Sequence, residues 1–283
     1  MTASRGYPTA VPKIDASGLR ARIDAVPFWW HSIDLGEGVT TPGIKTPQAL
    51  ATELSRLRLG HLGGKSVLDV GSYDGYFAFA AERLGAERVV ALDHYTWSMD
   101  LRGYESYRVQ QLARGEPVVP PHESEFWYPD TLPGRAGFDL AREALGSKVE
   151  VVVADLLDCD LDALGTFDIV LYLGVLYHMR HPLLALERVA HVTRRGGLAV
   201  IETLAESFRA EENRAMGRFI EGSDVNGDQT NWWAFNEPAL LAMCRAAGFS
   251  QAEILRAPPL WQRRALANAK GTAQFRAFVR ADR

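Results

Sequence analysis

Two rhythms of apolar and polar positions alternate along most of the chain. Short apolar runs at 66–70, 88–92, 149–153, 167–172 and 197–202 are too brief for helices and rich in Val, Ile and Leu, which predicts buried strands. Between and after them, apolar residues recur at helical spacing near 75–84, 138–145, 183–193 and 237–247. Strands that alternate with helices imply a parallel sheet covered on both faces. The later runs AEILRA and FRAFVRAD read as a sixth and a seventh strand. The expected fold is therefore α/β: a Rossmann-like, doubly wound, seven-stranded and mostly parallel sheet with lid insertions.

The N-terminal part follows neither rhythm. Residues 1–15 carry two prolines and little periodicity and are expected to be loose. Ala16–Ala25 predicts a short helix that ends before Pro27. The segment PFWWHSIDLGEGVTTPG, dense in aromatics and broken by glycine and proline, predicts an extended entry. Pro47–Leu57 predicts a helix with Thr46 as its N-cap. This divides the chain into an N-terminal helical and aromatic extension, 1–60, and a main domain, 61–283. The main domain carries two insertions, near 95–135 and 205–235, each longer than a simple crossover needs. Both are rich in aromatics, with Trp97 and Trp127 in the first and Trp232 in the second. Long loops of this kind read as lids or binding loops.

Composition narrows the partners. Of 283 residues, 47% are hydrophobic and 23% charged, as in ordinary globular proteins. A formal net charge of −4 supplies no global attraction to nucleic acid, which makes that partner disfavoured without removing it. Cys159 and Cys244 lie far apart and read as reduced thiols, and no apolar run is long enough for a membrane span. Together these predict a cytoplasmic protein. His178, His181 and His191 have no metal-ligand spacing, so no metal is expected.

The chemistry concentrates in VLDVGSYDGYF at 67–77. An apolar strand leads into Asp69, then Gly71, Ser72, Tyr73 and Gly75 lead into a helix, a turn that brings a ligand close to main-chain amides. Tyr73 stands where a dinucleotide fingerprint has its second glycine. The next strand ends in Asp93, where an acid suits the two hydroxyls of a ribose. Two acids at adjacent strand ends have little structural use without such a ligand. His94 follows directly.

In this order of motifs, over roughly Lys65 to Glu202, the chain resembles the class I S-adenosylmethionine-dependent methyltransferases. The resemblance implies that the glycine loop faces the methionine part of the cofactor, that Asp93 holds the ribose, and that Asp155 and Leu156 border the adenine. Leu173, closing the fourth strand, completes the expected cofactor set. Within this superfamily, WWHSIDLGEGVTTPG, GVLYHMRHP and NWWAFNEPALLAMCRAAGF are similar to the tRNA wobble-uridine carboxymethyltransferases. Those enzymes use carboxy-S-adenosylmethionine, whose extra carboxylate is held by a lysine, a tyrosine and an arginine. Here the tyrosine matches Tyr177 and the arginine Arg276, but His31 stands in place of the lysine. The missing fixed cation favours ordinary S-adenosylmethionine.

Catalytic candidates are His178, Tyr177 and His31; His178 is either a general base or a packing histidine. Trp29, Trp30, Trp97, Trp127, Glu202, Trp232 and Arg276 are candidate acceptor contacts. The leading reading is methyl transfer to a small, apolar or aromatic acceptor through oxygen or nitrogen, in specialised metabolism. The alternatives are a tRNA wobble-uridine (carboxy)methyltransferase, and a non-methylating protein that keeps the cofactor for structure or a rearrangement. Oligomeric state cannot be read from the chain.

Overall fold

The computed structural model describes residues 16–208, 212–222, 224–225, 227–267 and 271–283. The segment expected to be loose, 1–15, lies outside them, as do five positions of the second insertion. Five strands run parallel in the spatial order β3 (Glu150–Val153), β2 (Arg88–Asp93), β1 (Ser66–Val70), β4 (Phe167–Leu173) and β5 (Thr193–Phe208). β9 (Thr272–Asp282) lies antiparallel beside β5, and β8 (Gln251–Arg256) antiparallel beside β9. These are the seven expected strands.

Among the described residues the sheet carries two further strands, nine in all. β5 is 16 residues long and runs past the end of β4, which pairs with it only as far as Glu202. On the edge thus vacated, Ala205 pairs with Phe235 of β7 (Trp233–Phe235), and β6 (Gly217–Phe219) pairs with β7 in turn. The second insertion therefore extends the sheet beyond the carboxyl end of β4. It has its own apolar cluster of Leu204, Ile220, Val225 and Ala234, with Tyr177 packed against it.

The first insertion is also folded. It contains α4 (Leu101–Arg114), in which Tyr104 is the one fully buried residue. Its signals are caps and not periodicity: Asp100 accepts from the Gly103 amide and Gly115 closes the helix at φ 67°. Met99, Tyr104 and Val118 form a small core under it.

Side chains alternate across the strands as the pleat requires. Val67, Ala91 and Ile169 join one apolar layer with α3 (Tyr76–Arg83) and α5 (Ala136–Ala144). Leu68, Val90 and Val170 join the other with α7 (Pro182–Val192) and α8 (Glu237–Ala246). The N-terminal segment belongs to the first layer through Trp29, Ile33, Leu35 and Val39, and α2 (Pro47–Leu57) adds Leu50 and Leu57. Thr46 caps α2 as expected, accepting from the Ala49 amide.

Gly75, the N-cap of α3, has φ 89°, and an added Cβ would lie 2.6 Å from Phe79 and 2.7 Å from Phe138. Both rings are core residues with no room to retreat. Gly75→Ala is expected to destabilise the protein by about 2–4 kcal/mol, combining left-handed strain with overpacking. Equilibrium denaturation in urea checks this; a loss below about 1 kcal/mol would show that the turn relaxes freely.

Candidate active site

The site begins at the turn between β1 and α3. Gly71 (φ 73°), Tyr73 (φ 57°) and Gly75 all take left-handed backbone. At Gly71 the chain passes so close to Val175 that a Cβ would sit 2.6 Å from its Cγ2. Tyr73 has no glycine's freedom and holds this conformation at a cost of about 1–2 kcal/mol. Two contacts keep it there. Its amide donates to the Asp93 carboxylate at 3.0 Å, and its carbonyl accepts from the Trp97 indole at 2.6 Å.

Asp93 thus has a structural use that the sequence reading denied it. Besides the Tyr73 amide it accepts from the Thr96 amide (3.1 Å) and hydroxyl (2.6 Å), and it is 3% exposed. Ribose hydroxyls at this carboxylate would have to share it with those donors. Asp69 is also satisfied internally, accepting from the Ser72 hydroxyl at 2.8 Å. Burial pushes its carboxyl up to about 6, against the Ser72 hydrogen bond and His31, which pull it down.

Two of the expected wall tryptophans are core residues. Trp97 is fully buried against Phe138, and its indole N–H is spent on Tyr73. Trp29 is 4% exposed, donates to the Ile23 carbonyl and lies under Gly137. Neither leaves more than a sliver of its surface exposed. Leu156 likewise packs into the second apolar layer, while its carbonyl accepts from Arg188. Trp30 does line the turn, stacked on Tyr73 with centroids 5.9 Å apart. Asp155 is exposed just beyond β3, and Leu173 is half-buried at the end of β4.

Asp74 was not singled out among the site candidates, although it sits between the two glycines. It is buried and accepts from the amides of Trp30 (2.8 Å) and His31 (2.9 Å) and from Nδ1 of His31. The His31 ring is boxed by Tyr73, Tyr76 and Phe77. This one acid fastens the aromatic entry segment to the glycine turn.

A second group gathers where β4 ends. Gly174 (φ 76°) turns the chain, donating its amide to the Glu202 carbonyl at 2.9 Å. Glu202 and Arg276 make a two-pronged ion pair, Nε to Oε1 and Nη2 to Oε2. Both are candidate acceptor contacts by sequence, and here they hold each other. The guanidinium lies 4.7 Å above the Tyr177 ring, whose centroid is 4.0 Å from that of His178. Burial pulls the Arg276 guanidinium down, but Glu202 and Tyr177 outweigh it and hold it above its usual range. Burial raises the Tyr177 hydroxyl, against Arg276.

His178 is oriented by the second insertion. Its Nδ1 lies 3.0 Å from the Thr230 carbonyl and 2.9 Å from the Thr230 hydroxyl. That hydroxyl donates to Asp228 at 2.7 Å, so the imidazole must be the donor and Nδ1 carries its proton. Burial lowers the His178 pKa, with Asp228 opposing, and this favours the neutral ring. A neutral ring protonated at Nδ1 leaves the Nε2 lone pair available.

Trp232 lies beside this group, donating its amide to the Tyr177 carbonyl, with Arg180 4.7 Å above its ring. Trp127 is farther along, clustered with His94, Tyr95 and His122. Among the described residues no group of His, Cys, Asp or Glu could hold a metal ion, and no helix is long and apolar enough to cross a membrane.

A family described as a methyltransferase domain matches residues 44–254. The chain belongs to that family, within the class I S-adenosylmethionine-dependent methyltransferases. It is 29% identical over 202 residues to a tRNA U34 carboxymethyltransferase of Methylococcus capsulatus, covering 70% of this chain and 48% of that one. With the protein of the same description from Pseudomonas aeruginosa it shares 30% over 192 residues, covering 68% and 47%. The chain thus spans about half the length of the curated relatives it matches. Among solved structures, the N-terminal domain of EvdMO1 with S-adenosylhomocysteine bound superposes with a TM-score of 0.59 at 17% identity, over 95% of this chain and 98% of that one. A phosphoethanolamine N-methyltransferase of Haemonchus contortus gives 0.54 at 13% identity, over 94% and 57%. These likenesses establish the methyltransferase fold.

The residues present fit the family's cofactor. An acid stands at or just beyond the end of each of three neighbouring strands, Asp69, Asp93 and Asp155, acceptors of the kind that a ligand bearing hydroxyls and amines requires.

Asp69 generates a pH prediction for the unliganded protein. Its folded pKa of about 6 lies above the ordinary carboxylate value of 3.8, so the folded state binds the proton more tightly. Stability is then fullest below about 4 and falls as pH rises through 4 to 6, by roughly 2–3 kcal/mol. Asp69→Asn removes that slope, so its stability relative to the parent should improve across this window. Urea titrations of both proteins from pH 4 to 7 check the sign; parallel curves would place Asp69 at an ordinary pKa.

Proposed function

We propose that this chain transfers a methyl group from unmodified S-adenosylmethionine to an oxygen or nitrogen of a small acceptor, with His178 as the general base. The observation that carries this reading is the Asp228–Thr230–His178 arrangement. It fixes the imidazole with its proton on Nδ1 and its Nε2 lone pair free, and burial keeps the ring neutral near pH 7. A base in that state accepts the proton that an acceptor hydroxyl or amine must lose as its lone pair attacks. When bound, the cofactor supplies a methyl already activated by the sulfonium. What is left to the protein is alignment, exclusion of water and custody of that proton.

The donor preference follows from charge pairing. A carboxylated donor brings an additional anion that needs a desolvated cation or strong donors. Arg276 faces Glu202, and His31 faces Asp74. Each candidate cation already has its own carboxylate. That supports the unmodified donor, and it supports a role for Glu202–Arg276 in holding Tyr177 in place.

For the acceptor, the half-buried rings of Trp232 and Trp127 and the folded insertions support a small, apolar or aromatic molecule over an extended polyanion. The second reading, action on a tRNA wobble uridine, draws on the relatives described as tRNA U34 carboxymethyltransferases. Radiolabelled methyl transfer to phenolic, sugar and amine acceptors, run beside unmodified tRNA, separates the two. Transfer to tRNA alone would replace the small-acceptor reading.

Two variants test the chemistry. His178→Asn should lower kcat by about 10²–10⁴ with little change in donor affinity, and the parent's rate should fall as pH drops below the depressed histidine pKa. A loss under about threefold would leave His178 a packing residue. Glu202→Gln should move donor preference toward the carboxylated form by about tenfold or more, roughly 1.4 kcal/mol, because Arg276 loses its internal partner. Competition calorimetry with both donors measures it; an unchanged ratio would mean that Arg276 does not face the donor.

A further inference from the structure

Helix α4 of the first insertion reaches across to the second. Arg108 is gripped on its own helix by Glu105, its Nε donating to Oε2 at 2.8 Å and its Nη2 to Oε1 at 2.6 Å. Its Nη1 donates to the carbonyl of Gly227, 119 residues away, at 2.7 Å. Gly227 takes φ 65°, and a Cβ there would lie 2.9 Å from that Nη1 and 3.0 Å from Leu112. The loop is thus shaped to receive the guanidinium closely. One residue on, Asp228 accepts from the Thr230 amide at 2.8 Å and the Thr230 hydroxyl at 2.7 Å, and Thr230 in turn accepts from Nδ1 of His178. The positive charge of Arg108 also acts on Asp228. Hydrogen bonds and one peptide link run unbroken from α4 to the imidazole.

We propose that Arg108 is a positioning residue that sets the tautomer of His178, by holding the Gly227–Asp228 turn in place and making the two insertions one mechanical unit. This rests on the reading of His178 as the general base. An ordinary i,i+3 surface pair would need only the two guanidinium nitrogens that meet Glu105. The third, spent on a distant carbonyl, does something a helix pair does not require. Arg108 is also mostly buried, its side chain 18% exposed against 48% for Glu105. Without the strut, Asp228 and Thr230 drift, the imidazole loses its acceptors on Nδ1, and the proton is free to settle on Nε2, where it removes the base. The groups that face His178 are Tyr177 beside it, Arg276 from β9 with its partner Glu202 from β5, and Asp228 from the loop. Asp228 favours the charged ring and Arg276 opposes it, so displacing Asp228 also moves the histidine titration downward.

The test is nitrogen-15 NMR of histidine-labelled full-length protein saturated with S-adenosylhomocysteine, in which the two ring nitrogens report the tautomer directly. The parent should show His178 almost wholly protonated at Nδ1. Arg108→Gln should raise the Nε2-protonated form to about a third or more and lower the titration midpoint, with product affinity within about twofold. Arg108→Lys should recover part of the effect. Gly227→Ala presses on the same contact from the loop side and carries the test if Arg108→Gln fails to fold. Asp228→Asn separates the two claims. If it scrambles the tautomer while Arg108→Gln and Gly227→Ala leave it intact, the strut is wrong and the base reading survives. If Arg108→Gln scrambles the tautomer and methyl transfer is unaffected, the strut stands and His178 is not the base. A single Nδ1-protonated tautomer with an unchanged midpoint in Arg108→Gln overturns the proposal.

Discussion

Everything near the site depends on one carboxylate accepting one main-chain amide. The hydrogen bond from Tyr73 to Asp93 ties the end of β2 to the turn after β1 and holds a bulky residue in left-handed backbone. With Tyr73 so placed, Asp74 is presented to the amides of Trp30 and His31, and the aromatic entry segment latches onto the sheet. The Trp97 indole, reaching the Tyr73 carbonyl, joins the first insertion to the same turn. Three segments distant in sequence share one anchor. An unpaired buried acid would be costly, and Asp93 avoids that by collecting donors from its own chain.

The same economy of charge recurs in two ion pairs around the site. His31 with Asp74 is a buried pair, and the partly exposed Arg276 meets the buried Glu202; in each, removing one member leaves the other without its partner. Such pairs add little net stability but fix geometry closely. Here the geometry fixed is the angle of Tyr177, which carries the guanidinium on one face and lies against His178.

The parallel sheet and its helices were legible because buried strands and amphipathic helices leave distinct periods in the chain. The first insertion was not, because α4 buries a single tyrosine fully and is specified by Asp100 and Gly115 at its ends. β6 and β7 escaped notice for another reason: three-residue strands carry no periodicity, and only the overhang of β5 gives them a partner. At the site, residue type pointed to the right neighbourhood and left the internal contacts unseen. Acids at strand ends suggested ligands, and aromatics in long insertions suggested walls. Asp93 and Trp97 also serve the turn, because a carboxylate or an indole N–H satisfies a buried main-chain group as readily as a ligand. Asp74 could have been found from sequence, as a buried-type position filled by an acid between two glycines. Asp228 and Thr230 could not, since nothing local in a polar loop marks the histidine it will meet.

The position of β9 has a consequence for how the protein is made. This strand lies between β5 and β8 and lines β5 from Leu198 to Phe208, yet it follows β5 in the chain by more than sixty residues. During translation the parallel half of the sheet can form while one edge of β5 lies bare, its amides and carbonyls unpaired and its flanks apolar. Until Thr272–Asp282 leaves the ribosome, β8 has no partner and that edge is open to other nascent chains. Synthesis speed between β5 and β9, or a chaperone that shields strand edges, should therefore govern how much of this protein reaches the native state.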